Sequence, residues 1–431
     1  MKPDVVVVGA GLAGLSAAVR LAEAGASVRV LAKGVGSTHL GAGTIDVLGY
    51  DADGGRVDRP LEALGGLPAE HPYGLVGRAG VSAAIEWFKG RMADGPRAPY
   101  AYVGDAEQNV LLPTAVGAVA PAGVVPETMA GGDLRGGGRV CVVGFRGLKD
   151  FFPALVADNL SRGPDGVTAR GVELDLRPEG RADPNALAYA RAFDDEGFRA
   201  EVVAQLVARV APDELVAFPA VLGLVSPHEV WAEMEHRFGR AVFEIPTLPP
   251  SVPGIRVYTT LTQLLTRAGG RVVLNNVITG AERSGDRVRT LRVRVGLREV
   301  TYEPEWVVLA TGGFSAGGLA LDSSWVTHEV ALGLPVAGAP APGNERFGAD
   351  YFGGQPMDRV GVRTDHEQRP VGEDGGRVVE NVLVAGATLA GAAPWREKSG
   401  DGIALATGLR AAELITGDAA GHVGDVATAG A

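Results

Sequence analysis

Cysteine is almost absent from this sequence, in which Cys141 is the only one. A single cysteine excludes an internal disulfide, a CxxC zinc site and a set of thiolates that could hold an iron–sulfur cluster. If electrons pass through this protein, their carrier is therefore an organic cofactor, and any metal cluster belongs to a partner. The 7 histidines show no metal-ligand spacing with one another, so we assign no metal.

The sequence also lacks an excess of positive charge and a long apolar run. Its 40 Lys and Arg residues against 51 Asp and Glu give a net charge of −11, which argues against a nucleic-acid partner. The longest apolar stretch, residues 307–321, is interrupted by glycines and is too short to span a membrane. The amino-terminal residues are too short a stretch, and too broken by glycine, for a signal peptide. We therefore expect a cytoplasmic protein.

Glycine, by contrast, is abundant, and its arrangement near the amino terminus is informative. Val5–Val8 is a β-branched run, typical of a strand that is buried on both faces of a parallel sheet. Gly9, Gly11 and Gly14 follow, and then a helical pattern and a second strand complete a βαβ unit. In this dinucleotide-binding fingerprint Gly9 permits the tight turn, Gly11 lets a pyrophosphate approach the backbone, and Gly14 lets the helix pack on the strand.

The end of the second strand departs from the usual pattern. An acidic residue for the ribose hydroxyls is expected there, but the sequence is Leu31-Ala32-Lys33-Gly34. Lys33 could face a phosphate or be solvated. Because this acidic residue is missing, the bound cofactor could be a mononucleotide instead of an adenine dinucleotide.

Two later strands also run into glycines, at residues 306–313 and 382–387. Either motif alone is as typical of an ordinary tight turn as of a cofactor site. Together with the amino-terminal fingerprint they indicate a flavoprotein whose binding domain is split along the chain, with Gly312 and Gly386 near the cofactor.

A helix is predicted after Gly402, and its N-terminus would point at the pyrimidine edge of the flavin. Asp401 fits an ordinary N-cap at that position equally well. We include Gly402 and Val277 among the predicted cofactor contacts.

The loop at residues 36–46 follows the second strand and is predicted to run along the isoalloxazine ring. Its hydroxyl groups and glycine amides could contact ring heteroatoms. His39 could accept a proton, because an unperturbed histidine titrates near neutrality, or it could be a packing residue. The predicted cofactor contacts in this loop are Ser37, Thr38, Gly43 and Thr44.

Two clusters contain cations suited to an anionic substrate. Residues 245–256 form a rigid, proline-rich wall that ends in Arg256, and residues 361–370 include Arg363, Asp365 and Arg369. Arginine recognises phosphate and carboxylate groups in a bidentate manner, although each of these arginines could also be a solvated surface charge.

The predicted fold is therefore α/β: a Rossmann-like, FAD/NAD(P)-binding flavoprotein fold with a discontinuous parallel sheet and an inserted α+β substrate or cap domain. We predict that the nucleotide-binding domain is built from three pieces of chain and that the cap is built from two, followed by a tail. The nucleotide-binding pieces are residues 1–75, 261–320 and 376–417; the cap pieces are 76–260 and 321–375; the tail is 418–431.

The order and spacing of several motifs resemble the B subunit of anaerobic glycerol-3-phosphate dehydrogenase over nearly the whole chain. The most specific is the block Pro-Thr-Leu-Pro-Pro-Ser-Val-x-Gly-Ile-Arg at residues 246–256. More distantly, the architecture is similar to the flavoproteins of fumarate reductase and succinate dehydrogenase. The chain departs from the family pattern at residues 398–402, where the turn is less rich in glycine. The other matching motifs are Gly9 to Gly14, the loop with Ser37, His39, Gly43 and Asp46, and residues 71–73, 141–151 and 361–370.

The resemblance implies a flavin-containing, quinone-dependent glycerol-3-phosphate dehydrogenase subunit of anaerobic respiration. The complex would oxidise sn-glycerol 3-phosphate to dihydroxyacetone phosphate and pass electrons through an iron–sulfur subunit to membrane quinone, with fumarate or nitrate as terminal acceptor. Its other partner would be a catalytic flavoprotein sister subunit, and the protein would lie peripherally on the inner face of the membrane. The family is described as using FMN, whereas the dinucleotide fingerprint indicates FAD.

For the oxidation of a secondary alcohol, His39 is the candidate base, and Arg256 and Arg369 are the candidate anchors for the substrate phosphate. Two other interpretations stay open. One is a stand-alone, fumarate reductase-like flavin oxidoreductase acting on a dicarboxylate, and the other is a non-catalytic electron-transfer or scaffold subunit.

Overall fold

The protein is described by a computed structural model that covers residues 1–95, 100–341, 343–351 and 353–417. The predicted tail at residues 418–431 lies outside the described residues. The central feature is a parallel sheet of five strands drawn from distant parts of the chain, which confirms the discontinuous α/β sheet. Its strands are, in spatial order, Arg271–Val273, Val28–Leu31, Val5–Val8, Trp306–Leu309 and Val382–Val384.

Both faces of this sheet are covered, which explains the uninterrupted apolar sequence of its central strand. Val5 and Val7 pack against a helical layer, whereas Val6 and Val8 pack against residues of an antiparallel sheet. The main helices on the first side are Leu12–Glu23, Tyr73–Ala93, Val252–Arg267 and Gly400–Thr416. The antiparallel sheet consists of Asn276–Ser284, Arg287–Val295 and Arg298–Tyr302.

A second parallel sheet lies in the middle of the chain, where an α+β insertion was expected. All its strand pairs are parallel, because helices return the chain to the starting edge between successive strands. The α+β assignment was therefore wrong for this sheet, and antiparallel pairing within the insertion is confined to short pairs. The parallel strands are Val242–Ile245, Leu215–Pro219, Gly138–Phe145 and Val167–Leu174; the connecting helices are Pro153–Arg162, Ala186–Phe193, Glu196–Leu206 and Pro227–Phe238.

The remaining elements are short. Ser37–Leu40 is a 3-10 helix in the loop after the second strand. Short antiparallel pairs join Tyr102–Val103 to Val125–Pro126, Val110–Pro113 to Val119–Ala122, and Leu319–Leu321 to Thr327–Glu329. The short helices are Pro60–Ala63, Glu127–Ala130 and Pro394–Glu397, and the other 3-10 turns are Leu64–Gly66, Val207–Arg209, Phe314–Ala316 and Gly386–Thr388.

The proline-rich block at residues 246–256 is only partly the rigid wall expected from its sequence. A helix begins within it at Val252, and the Ser251 hydroxyl caps this helix by accepting a hydrogen bond from the Gly254 amide at 3.0 Å. Among the residues that the structure describes, no helix combines the length and the apolar character needed to cross a membrane.

Candidate flavin site

The three fingerprint glycines occupy three different environments. A Cβ atom on Gly9, whose φ is +116°, would lie 2.2 Å from the Ala310 carbonyl oxygen, and one on Gly14 would lie 2.1 Å from the Gly9 carbonyl oxygen. A Cβ on Gly11 would meet nothing within 4 Å. Gly9 and Gly14 are thus required by backbone packing, whereas Gly11 faces open space.

Gly11 is also the N-cap residue of helix Leu12–Glu23, and no side chain caps that helix end. Uncapped amides at a helix N-terminus, beside open space, form a site for an anionic group. The geometry therefore fits the pyrophosphate of a dinucleotide.

Gly36, which sequence analysis did not single out, places the loop at residues 36–46 over the N-terminus of helix Leu12–Glu23. Its φ is +76°, and a Cβ on it would lie 2.8 Å from both the amide nitrogen and the Cα of Gly11. A larger residue would therefore push the loop away from Gly11. The only signal in the sequence was the presence of one more glycine in a glycine-rich stretch.

Four buried polar atoms in this loop have no hydrogen-bond partner among the described residues: Thr38 Oγ1, His39 Nε2, Thr44 Oγ1 and Asp46 Oδ1. Leaving a buried polar atom unsatisfied costs about 1–3 kcal/mol. Such atoms close together in the sequence indicate that a polar ligand satisfies them. A flavin ring, whose edge carries both hydrogen-bond donors and acceptors, fits this requirement at the threonine hydroxyl groups, and His39 Nε2 is left for a second polar ligand.

The start of helix Val252–Arg267 supports the loop from below. Ser251 donates its amide hydrogen to the His39 carbonyl oxygen at 2.9 Å. A Cβ on Gly254 would lie 1.9 Å from the Thr38 carbonyl oxygen, and one on Gly43 would lie 2.4 Å from Pro253 Cβ. Sequence analysis missed this role of the proline-rich block, because the contact joins segments about two hundred residues apart.

The His39 ring lies edge-on to the Tyr258 ring, with the centroids 4.7 Å apart. Burial lowers the pKa of His39 below the ordinary value of a histidine. The imidazole is therefore neutral at pH 7, and in the tautomer with its proton on Nδ1 the unpartnered Nε2 is a hydrogen-bond acceptor.

Gly312 follows the strand Trp306–Leu309, which neighbours the fingerprint strand, and Gly386 follows the next strand of the sheet, Val382–Val384. Because the strands are parallel, their carboxyl ends lie at one edge of the sheet together with Gly9. The Gly312 amide donates to Thr388 Oγ1 and the Gly386 amide to Thr407 Oγ1, each at 2.9 Å. The structure thus brings these glycines to the same edge, with their amides already used, and their contact with a cofactor stays a prediction.

Gly402 has a packing role, and its contact with a cofactor stays a prediction. Its amide donates to the Asp46 carbonyl oxygen at 3.0 Å. A Cβ at this position would lie 2.2 Å from the Tyr73 hydroxyl and 2.9 Å from Val47 Cα. The protein itself therefore fills the space around Gly402.

A charged cluster of Asp46, Lys398 and Asp401 surrounds this turn. Lys398, at a left-handed φ of 49°, forms an ion pair with Asp46. Asp401 lies in the first turn of helix Gly400–Thr416 and is not its N-cap, a position held by Ser399. Burial and the charge of Asp46 raise the pKa of Asp401 to about 7, against the opposing effect of Lys398.

We predict that Asp401→Asn stabilises the protein at alkaline pH. As the pH rises from about 4 to 7, the unfolded carboxyl ionises while the folded one stays protonated, so the wild type loses stability over this window. Urea unfolding should show a gain on the order of a few kcal/mol for the variant at pH 8 and almost none near pH 4. Asp53→Asn, at an exposed turn, is the control and should change the free energy of unfolding by about 0.5 kcal/mol or less. A pH-independent difference for Asp401→Asn would contradict the assignment.

A second charged group holds the same turn in place. Glu397 accepts a hydrogen bond from Ser399 Oγ at 3.0 Å and contacts His71 Nε2 at 3.2 Å, and it pairs with Arg359 at 3.0 Å. Burial alone would raise the pKa of Glu397, but the His71 contact and the charge of Arg359 lower it overall. The carboxylate thus ties the start of the last helix to two distant segments.

Arg256 does not face a ligand, which corrects its assignment as an anion anchor. It pairs with Glu244, with side chains 2% and 0% exposed, at 2.7 Å. Its other hydrogens are donated to the Tyr100 hydroxyl and to the carbonyl oxygens of Leu222 and Gly223. Because a guanidinium has five N–H groups, none remains for a substrate.

Arg369 lies at the opposite edge of the sheet from the fingerprint, so its assignment as a substrate anchor was also wrong. Its guanidinium is 5.9 Å from the ring of Trp306, the first residue of its strand, and donates to the Glu380 carbonyl oxygen at 2.8 Å. Gly9 follows the other end of the neighbouring strand, where Val8 lies opposite Leu309. A strand of this length separates the two edges by about 10 Å.

The remaining predicted contacts lie near the correct edge. Lys33 is exposed just beyond the second strand, and Ser37 is exposed at the start of its 3-10 helix. Val277 is brought close to the end of the second strand, because the Asn276 amide donates to the Ala32 carbonyl oxygen at 3.0 Å. No group of His, Cys, Asp or Glu side chains in the described part of the chain could hold a metal ion.

Comparison with known proteins agrees with this geometry. Residues 4–403 match the family model of the FAD binding domain. A probable B subunit of anaerobic glycerol-3-phosphate dehydrogenase from Halobacterium salinarum is 32% identical over 426 residues, which cover 95% of this chain and 97% of the relative. The B subunit of anaerobic glycerol-3-phosphate dehydrogenase from Vibrio cholerae is 30% identical over 434 residues, covering 96% and 97%.

Among solved structures, the chain is similar to 3-ketosteroid Δ1-dehydrogenase from Sterolibacterium denitrificans, with a TM-score of 0.44, 14% identity and coverage of 97% of this chain and 100% of the other. The prediction of a flavin is confirmed, and of the two forms left open the matching family indicates FAD. The chain is therefore an FAD-binding flavin oxidoreductase that belongs to the family of anaerobic glycerol-3-phosphate dehydrogenase B subunits.

Proposed function

We propose that this chain is a flavin-bearing subunit of a quinone-linked glycerol-3-phosphate dehydrogenase. The complex oxidises sn-glycerol 3-phosphate to dihydroxyacetone phosphate. Electrons pass through an iron–sulfur subunit to the membrane quinone pool, with fumarate or nitrate as terminal acceptor. Relatives with this name match nearly the whole chain, and the single cysteine requires that any iron–sulfur cluster be held by a partner.

The observation that carries the proposal is the unpartnered His39 Nε2 in the loop over the fingerprint helix. Oxidation of the secondary alcohol removes a hydride from carbon and a proton from the hydroxyl group. FAD, when bound, supplies the two-electron acceptor. His39 accepts the hydroxyl proton at Nε2, because its lowered pKa keeps the ring neutral at pH 7.

The substrate phosphate also needs a cation. Neither Arg256 nor Arg369 can take this role, because the first is fully paired in the interior and the second lies at the other edge of the sheet. Lys33, at the fingerprint edge, is predicted to contact the cofactor, so we place the substrate cation on the sister flavoprotein subunit, at a site that the two subunits share. The chain then sits at the inner face of the membrane through the iron–sulfur subunit.

His39→Gln in the assembled complex should lower kcat for glycerol 3-phosphate by about 10²–10⁴-fold, because glutamine cannot take up the proton. Steady-state kinetics with glycerol 3-phosphate and an artificial electron acceptor measure this. The wild-type rate should fall only below the ordinary histidine pKa, since burial lowers the pKa of His39, and this acid limb should vanish in the variant. FAD content should not change.

The matched control is His236→Gln, at an exposed position on helix Pro227–Phe238, which should leave the kinetics unchanged. Unchanged turnover of the His39→Gln complex would contradict a role in catalysis and favour a scaffold subunit. Turnover with fumarate but not with glycerol 3-phosphate would favour the fumarate reductase-like alternative.

A further inference from the structure

A cavity of about 280 Å³ lies between three helices of the helical layer, away from the fingerprint glycines Gly9, Gly11 and Gly14. The helices are Leu12–Glu23, Tyr73–Ala93 and Gly400–Thr416. The cavity lies toward the far end of the first helix, because Arg20 lines it whereas Gly11 caps the other end of that helix. Nine residues of helix separate the two positions by about 13 Å.

Arg410 lines this cavity from the last helix and is 8% exposed. Its Nε is completely buried and has no hydrogen-bond acceptor among the described residues. Burial of a charged donor without a partner is strongly unfavourable, so buried arginines are paired with an anion.

Trp87 lines the same cavity from helix Tyr73–Ala93, and its indole Nε1 is likewise buried without an acceptor in the described part of the chain. The indole N–H can only donate, and so can a guanidinium. Two unsatisfied donors on facing helices therefore call for a ligand with acceptor oxygens. Carboxylates are the acceptors that arginine binds best in a bidentate manner, together with phosphates.

The rest of the lining selects between these two anions. Val76, Ala84 and Leu409 provide apolar walls, which suit an organic body. The charged residues of the lining are Arg20, Arg410 and Glu413, which together carry one net positive charge and so suit a ligand with one negative charge. A phosphate dianion is therefore less suited to the cavity than a monocarboxylate.

We infer that this cavity binds a short-chain organic monocarboxylate, with its carboxylate between Arg410 and the Trp87 indole N–H and its chain against the apolar walls. This inference is independent of the proposed oxidation, because the cavity and the fingerprint loop lie at opposite ends of the first helix.

Isothermal titration calorimetry of the FAD-loaded protein with hexanoate tests the inference, with hexanol and inorganic phosphate as comparison probes. We expect saturable binding of hexanoate, and binding of hexanol and phosphate at least about tenfold weaker. Arg410→Gln should weaken hexanoate binding by about tenfold or more, and Trp87→Phe, which removes the donor but keeps an aromatic ring, by about threefold or more.

Arg191→Gln, at an exposed position of helix Ala186–Phe193, is the matched control and should bind hexanoate like the wild type. If Arg410→Gln does not fold, Trp87→Phe and the hexanol comparison decide the question. Absence of saturable binding up to about 10 mM hexanoate, or equal binding of hexanoate and hexanol, would overturn the inference and leave a cavity filled by water.

Discussion

Replacing Gly11 by valine should deprive the protein of FAD without unfolding it. A Cβ at this position meets no atom of the described residues within 4 Å, and the backbone φ of −78° suits any L-residue. The valine methyl groups would instead enter the open space in front of the helix amides, where the pyrophosphate is predicted to bind. We expect the flavin-to-protein ratio to fall by about tenfold or more, while the melting temperature of the apoprotein changes by no more than about 2 °C.

Two other glycines serve as controls for this result. Gly65→Val, in open space outside the cofactor site, should keep its FAD. Gly14→Val should fail to fold normally, because its Cβ would lie 2.1 Å from the Gly9 carbonyl oxygen. A Gly11→Val protein that retains FAD at the wild-type ratio would contradict the placement of the pyrophosphate.

The second large effect concerns the buried ion pair of Arg256 and Glu244. Arg256→Met should lower the free energy of unfolding by about 3–5 kcal/mol, because it leaves the Glu244 carboxylate buried without its counter-charge. Glu244 would keep only its hydrogen bonds from Thr128 Oγ1 and the Leu222 amide, both at 2.7 Å. Chemical denaturation of the single variant measures the loss.

The double variant Arg256→Met/Glu244→Gln should recover most of this loss, because the neutral amide oxygen can still accept from the Leu222 amide and needs no counter-charge. Arg191→Met, at an exposed position, is the control and should change stability by about 0.5 kcal/mol or less. A loss below about 1 kcal/mol for Arg256→Met would show that Arg256 is not committed to the interior.

The part of the fold that could be predicted from sequence is the part set by local pattern. Val5–Val8 is uninterrupted because both faces of its strand are covered, and Gly9, Gly11 and Gly14 have the environments that their spacing indicates. The helices at Leu12–Glu23 and Gly400–Thr416 likewise follow from local periodicity.

The two arginines could not be placed from sequence, because each depends on long-range geometry. The role of Arg256 depends on Glu244, which lies on a strand of the second sheet, and the parallel pairing of that sheet was not predicted. The position of Arg369 depends on the direction of the neighbouring strands, which decides the edge that each loop occupies. The sequence around an arginine in a turn-rich segment indicates neither its buried partner nor the sheet edge at which it lies.

The loop at residues 36–46 also combines features that the sequence reveals with features that depend on the fold. Its hydroxyl groups and His39 were visible in the sequence, whereas the support from Gly254 and Tyr258 depends on the packing of a distant helix. Gly36 stood among several glycines, and only the fold shows that its backbone lies against Gly11.

The most direct test of FAD binding is to denature the purified protein, identify the released flavin by chromatography and measure the molar ratio of flavin to protein. We predict FAD at about one molecule per chain, since the sequence contains one dinucleotide-binding fingerprint, at Gly9, Gly11 and Gly14. Release of FMN, or a preparation that stays colourless after incubation with FAD, would contradict it.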